Sequence, residues 1–193
     1  MKEKTYEKYM KQTSWFHGTT LERWDQICKH KVRWDYNEGS ELDFGWGFYL
    51  APTYNQAENY IKRAIPYMKK DETKVPVVIE FELCLEKIAN KYKHTCFLHF
   101  NDEFAEFVIM NRNDPTKMHH DYDFIIGVMT DSNPENLINN YRNGIITYEA
   151  LKKALMKWNS MEQVSLNNQE ICDILKVNKI TLVNNGEELN IYE

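Results

Sequence analysis

The stretch that most constrains this chain is Leu42–Tyr60, LDFGWGFYLAPTYNQAENY. Gly45 and Gly47 open a tight passage into a short apolar run, Phe48–Ala51. Glycine permits positive φ and close backbone approach, so the run reads as a short strand entered through a turn. Thr53 and Gln56 then fit a capping box and start a helix. Two rigid aromatics sit on this unit, Tyr49 on the strand and Tyr60 eleven residues later on the helix. Aromatics so placed are more often core packing than two faces that hold a flat ring, and the pattern leaves both open.

The remaining segments are read from periodicity and caps. Residues 1–12 form a short polar helix, and Ser14–Gly18 a strand ending at glycine. A second capping box, with Thr19 three residues ahead of Glu22, starts a helix that ends near Lys31. Leu21, Trp24, Ile27 and Cys28 share one face of it, and residues 33–43 make a polar loop. On the central helix Ala57, Tyr60, Ile61 and Ala64 line one side, and Pro66 limits it. Residues 75–83 alternate as a strand, with Pro76 giving it edge character. A strand is expected at Thr95–His99 and a helix at Asp102–Arg112, with Phe104, Phe107 and Val108 inward. Asp123–Met129 reads as a buried strand, where Gly127 marks a close approach. Helices at Pro134–Tyr141 and Thr147–Trp158 follow, then a strand at Gln163–Leu166 and a helix over 169–175 capped by Asn167 or Asn168. The last strand is Ile180–Val183, and 184–193 is a polar tail. Strands and helices are interleaved, which predicts one α+β domain over residues 1–193 with its core in 14–183.

Composition removes several classes. A chain of 193 residues with 42% apolar and 27% charged content is globular. It has no apolar run near the roughly 18 residues a bilayer span needs. The charged start, MKEKTYEKYMKQ, lacks a leader's apolar segment, so a cytoplasmic location is expected. A net charge of −5 argues against a broad nucleic-acid surface and leaves room for local basic patches. Cys28, Cys84, Cys96 and Cys172 show no CxxC spacing and read as reduced, buried thiols. His119 and His120 read as solvated, and no His/Cys cluster suggests a metal. Lys69–Lys74 reads as a solvated charged loop.

Three elements could carry chemistry. Trp15–Thr19, WFHGT, places a histidine at a strand end beside a glycine and a threonine. It offers a ring nitrogen, a backbone amide and a hydroxyl, or else a satisfied core histidine and a turn. The second element is Gly47–Ala51 with Tyr60. The third is Glu162-Gln163, whose side chains point to opposite faces of a strand. Arg112 and Asp121-Tyr122-Asp123 read as a bracing ion pair as readily as a reactive group.

These motifs, HGTT, GFYLAPTYNQAENY and EQVSL, resemble in order and spacing the ADP-ribosyltransferase fold. The similarity is to its diphtheria-toxin and poly(ADP-ribose) polymerase branch. From about residue 14 to 183 the chain is also similar to uncharacterised small bacterial proteins of this fold. Their marks, DFGxGFYL, FVxxNR and DYDxIxG, stand here at Asp43–Leu50, Phe107–Arg112 and Asp121–Gly127. The resemblance implies split mixed and antiparallel sheets around an NAD cleft with flanking helices. It implies NAD as co-substrate, without a metal, and transfer of ADP-ribose to a macromolecular acceptor, protein or nucleic acid. His17 would bond the adenosine ribose and Gly18 the nicotinamide carboxamide. Thr19 would assist at the ligand, Gly47 would line it, and Tyr49 and Tyr60 would sandwich the nicotinamide. The branch places a glutamate where Gln163 stands, with Glu162 one residue before it. A register shift to Glu162, or Glu103 or Glu106 from another element, could supply the missing charge. The alternatives are an NAD- or ADP-ribose-binding module that turns over weakly and an NAD glycohydrolase. Small enzymes of this kind resemble toxins of toxin–antitoxin or defence systems, which implies a small antitoxin partner.

Overall fold

Threonine and asparagine side chains punctuate the chain. Thr20, Thr53, Asn101, Thr147 and Asn168 each accept a backbone N–H from the next turn, and each starts a helix. The computed structural model describes residues 2–68, 74–130, 134–156 and 161–189. In chain order these form α1 (Lys2–Lys11), β1 (Ser14–Thr20), α2 (Leu21–His30), β2 (Phe48–Leu50), α3 (Tyr54–Ala64) and β3 (Pro76–Glu82). Then come α4 (Leu85–Ile88), β4 (His94–Phe97), α5 (Asp102–Asn113), β5 (Phe124–Val128), α6 (Pro134–Arg142) and α7 (Tyr148–Leu155). Last are β6 (Glu162–Leu166), α8 (Gln169–Asp173), β7 (Lys176–Leu182) and β8 (Glu188–Leu189). A 3-10 turn, Ile65–Tyr67, continues α3 through Pro66.

The strands form two sheets of four, ordered β1-β3-β7-β8 and β2-β6-β5-β4. Every pairing is antiparallel except β4 with β5. A single bridge, Phe16 opposite Ala51, joins them. The result is the expected mixture of helices and strands, with the strands in two sheets.

Three expectations change. β3 is central, not an edge, because its Pro76 is the first strand residue, where a missing N–H costs least. The cap of α2 is Thr20, so Thr19 stays in β1. Part of the polar tail adds β8 to the sheet. Residues 69–73, 157–160 and 190–193 lie outside the described residues, among them most of the charged loop and Trp158. Among the described residues no helix is long and apolar enough to cross a membrane.

Strand alternation divides the interior. One cluster gathers residues of both sheets: Trp15, Ile79 and Phe81 with Leu50, Ile126, Val164 and Leu166, closed by Tyr9 and Met10 of α1. On the other face of the second sheet, Ile125 packs with Phe44 and with α5, α6 and α7. On the other face of β3, Val78 packs against Ala57 and Ile61 of α3. Glycines allow the closest approaches. A Cβ on Gly18 would lie 2.2 Å from the Ala57 carbonyl oxygen, and one on Gly127 2.5 Å from the Phe44 ring.

The loop between α2 and β2 is held by a buried carboxylate. Asp43 accepts from Arg112 Nε at 2.7 Å and from the Thr130 N–H and hydroxyl at 2.9 and 2.8 Å. Arg112 also donates to the Glu41 carbonyl at 2.5 Å. The brace foreseen for Arg112 therefore exists, with Asp43 as partner. Asp121 and Asp123 instead receive Lys93, through its ammonium and its backbone N–H. Removing one member of a buried pair strands the other charge. Asp43→Ala should cost about 3–5 kcal/mol, measured by urea denaturation against the parent.

Candidate functional site

The site is built where the two sheets part. Phe16 N–H donates to the Ala51 carbonyl at 2.9 Å, and Ala51 N–H to the Phe16 carbonyl at 2.7 Å. In an antiparallel ladder the next rung would pair Gly18 with Tyr49. That rung is replaced: the Tyr49 carbonyl lies 2.8 Å from His17 Nδ1. Backbone groups alternate sides along a strand, so Gly18 presents its N–H and C=O to the same side as Phe16, away from β3. Two observations agree. Leu21 N–H donates to the Val75 carbonyl, on the opposite parity, and Pro76 with no N–H stands opposite Thr20. Gly18 thus offers a donor and an acceptor to the gap, and no backbone partner for them is found there among the described residues.

A carbonyl only accepts, so His17 Nδ1 carries the proton and Nε2 is left as an acceptor in the neutral ring. The ring stacks on Phe48, centroids 4.5 Å apart. Burial, opposed by the Tyr49 carbonyl and aided by Arg23, holds His17 below its ordinary 6.5. Burial likewise lowers His120. Both rings are neutral in the folded chain at neutral pH, whereas the unfolded chain protonates them below about pH 6.5. Stability should therefore be insensitive to these groups above pH 6.5 and fall below it. A His120→Gln variant should flatten that fall in thermal melts taken from pH 7.5 to 5.5.

The other expected residues are not all brought together. Thr19 is buried at 4% exposure beside Gly18. Tyr49 joins the second cluster, on the face of β2 opposite Phe48 and Leu50. Its hydroxyl donates to the Gly45 carbonyl at 2.7 Å and accepts from Phe44 N–H at 3.1 Å. Burial, with the Asp43 charge, pushes its ionisation up. Tyr60 stands on α3 at 58% exposure, so the two tyrosines do not form a sandwich. The ring beside His17 is Phe48.

Gly47 is explained by packing. Asn37 clamps its N–H and C=O at 3.0 and 2.7 Å, and a Cβ would lie 2.2 Å from Ser165 Oγ. The opening of β6 divides as alternation requires. Gln163 is buried on the Tyr49 face and its Nε2 lies 3.3 Å from Asp43 Oδ2. Glu162 shares the other face with Val164 and Leu166, on the side of the cluster that holds Phe48. Its carboxylate faces the Tyr9 phenol, whose ionisation burial and that charge both push up. Glu103 and Glu106 are exposed on α5.

The two cavities described lie elsewhere. One, of about 290 Å³, is lined by Phe16, Tyr54, Val78, Glu80, Lys179 and Thr181. The other, of about 300 Å³, lies along Tyr6 and Cys96–Asn101. Two readings of loose residues also change. Only Cys172 of the four thiols is buried, and burial pushes it up to about 12. His119 and His120 are not solvated: their Nε2 atoms lie 2.8 Å from the Asp114 and Phe44 carbonyls. Sequence reasoning missed the Asp43–Thr130 contact, which joins loops far apart in the chain, and the Asn37 clamp, which folds one long loop back on itself; neither carries a local periodicity.

A family model described as "Protein of unknown function (DUF3990)" matches residues 16–177. The chain belongs to the DUF3990 family. No curated protein matches the sequence. The DUF3990 segment takes in the Phe16–Ala51 bridge, His17, Asp43 and Gln163, while α1 precedes it. Within it Gln163 is part of the Asp43 assembly. Gln163→Glu would set a second carboxylate against Asp43 in the interior. It should lower stability by about 1–3 kcal/mol, read as a shift of the urea midpoint. An unchanged midpoint would show that the amide is not held there.

Proposed function

We propose that this DUF3990 chain is an intracellular ADP-ribosyltransferase that cleaves NAD, releases nicotinamide and passes ADP-ribose to a macromolecular acceptor. The observation that carries the reading is the parted seam. His17 takes the Tyr49 carbonyl, and the Gly18 amide pair is left facing the gap. A primary carboxamide needs one acceptor and one donor side by side, which the Gly18 N–H and C=O offer. His17 Nε2 would accept from a ribose hydroxyl.

The reaction needs a negative group near the ribose, because positive charge grows there as the glycosidic bond breaks. Gln163 cannot supply it, since an amide carries no charge and this one serves Asp43. Glu162 is the better choice in this reading, because it shares its face with the cluster against which the His17 ring stacks. The flat ring contact passes from the expected tyrosine pair to Phe48. A toxin role with a small antitoxin remains part of the proposal by analogy of fold.

One observation favours a second reading, NAD binding without turnover. Gln163 replaces the branch's glutamate and is locked in a structural contact. Nicotinamide release separates the two. Purified chain with NAD and a cell extract should release nicotinamide and label a macromolecule. Glu162→Gln should cut release at least about a hundredfold, and His17→Ala similarly, with far-UV spectra unchanged. Binding of NAD without release, in the parent chain, would leave the binding module. Release without label would indicate hydrolysis, and neither binding nor release would end the NAD reading.

A further inference from the structure

α3 buries Ala57 and Ile61 and leaves its other side open. On that side Tyr60 is 58% exposed, and Tyr67 at the end of the 3-10 turn is 91% exposed. Arg63, also exposed, stands three residues after the first and four before the second, the spacing of neighbours on a helix surface. The three span roughly 10–12 Å of axis. Lys62 pairs with Glu58 at 3.0 Å, whereas no ion pair of Arg63 is found among the described residues. Lys74 Nζ donates to the Met68 carbonyl at 3.1 Å, which brings another cation beside Tyr67. Among the described residues here, Lys62, Arg63 and Lys74 stand against Glu58, a local positive excess in a chain of net charge −5.

We infer that this face binds single-stranded nucleic acid. Two open phenol rings flanking a guanidinium form a stacking platform, and unpaired bases present flat faces to such a platform. A local excess of positive charge on an otherwise negative chain selects a polyanion. Tyrosine and arginine also favour protein contacts, but those do not call for a concentration of one sign of charge. A duplex hides its base faces within the stack, so it gains only the phosphate contacts. The inference does not depend on NAD.

The test is fluorescence anisotropy of a labelled oligo(dT) and oligo(U) of about 12 nucleotides with the full chain, without NAD. Binding at 50 mM salt is expected within the range of about 1–100 μM and should weaken steeply by 200 mM. Tyr60→Ala and Tyr67→Ala should each weaken it about tenfold. Arg63→Gln should reduce the salt slope by about 0.7. These side chains are exposed, so the variants should fold, as circular dichroism would verify. Absence of binding at about 100 μM protein, equal affinity for the matching duplex, or affinity unchanged in all three variants would overturn the inference. So would self-association that the variants abolish and the oligonucleotide does not affect, because the patch would then be a protein contact.

Discussion

The structure turns on one rung. Phe16 and Ala51 exchange two backbone hydrogen bonds and tie the sheets together, and beyond them the strands separate. A continuous ladder would consume the Gly18 amide and the Tyr49 carbonyl on each other. His17 interrupts it by offering a side-chain donor to that carbonyl at 2.8 Å. Buried carbonyls need partners, so the imidazole allows the sheets to part without leaving this one orphaned. The same substitution sets the tautomer of the ring and leaves the Gly18 amide pair for something else.

The parting is stable because packing holds both sides. Trp15 on β1 and Leu50 on β2 enter one shared cluster, so the sheets cannot drift apart without opening apolar surface. On the far side α3 rests on Gly18 so closely that any side chain there would meet its backbone. Asp43 pins the loop entering β2 to α5 and to Thr130 after β5. Tyr49 and Gln163 are drawn into this support. Their hydrogen-bonding groups are committed to the Gly45 carbonyl and to Asp43. In the proposed reaction they therefore act as framework, and the reactive groups are His17, Gly18 and Glu162.

Much of the local structure was legible in the chain. Thr53 caps α3 by accepting the Gln56 N–H, although the Gln56 side chain donates to the Glu162 carbonyl instead of closing the box, and Gly127 does stand where a side chain would not fit. Caps and close approaches depend on a few neighbouring atoms, so residue identity suffices. The alternation of Glu162 and Gln163 was legible too, but not which of them faced the interior network. That depends on Asp43, 120 residues away along the chain from Gln163. Tyr49 and Tyr60 kept a suggestive spacing, yet spacing along a chain says nothing of which face of a three-residue strand a ring takes. The central place of β3 was hidden in the same way, since Pro76 reads as an edge signal until β7 is seen to pair beyond it.

Residue identity alone set where helices start, where glycine is required, and that strands and helices alternate in one mixed fold. It did so because these are short-range effects of sterics and capping. Tertiary structure alone decided that the ladder stops after one rung, that His17 replaces the next, and that Gln163 turns toward Asp43 while Glu162 turns toward Tyr9. These outcomes rest on which distant strands meet and in what register, and a shift of one residue would have exchanged every face.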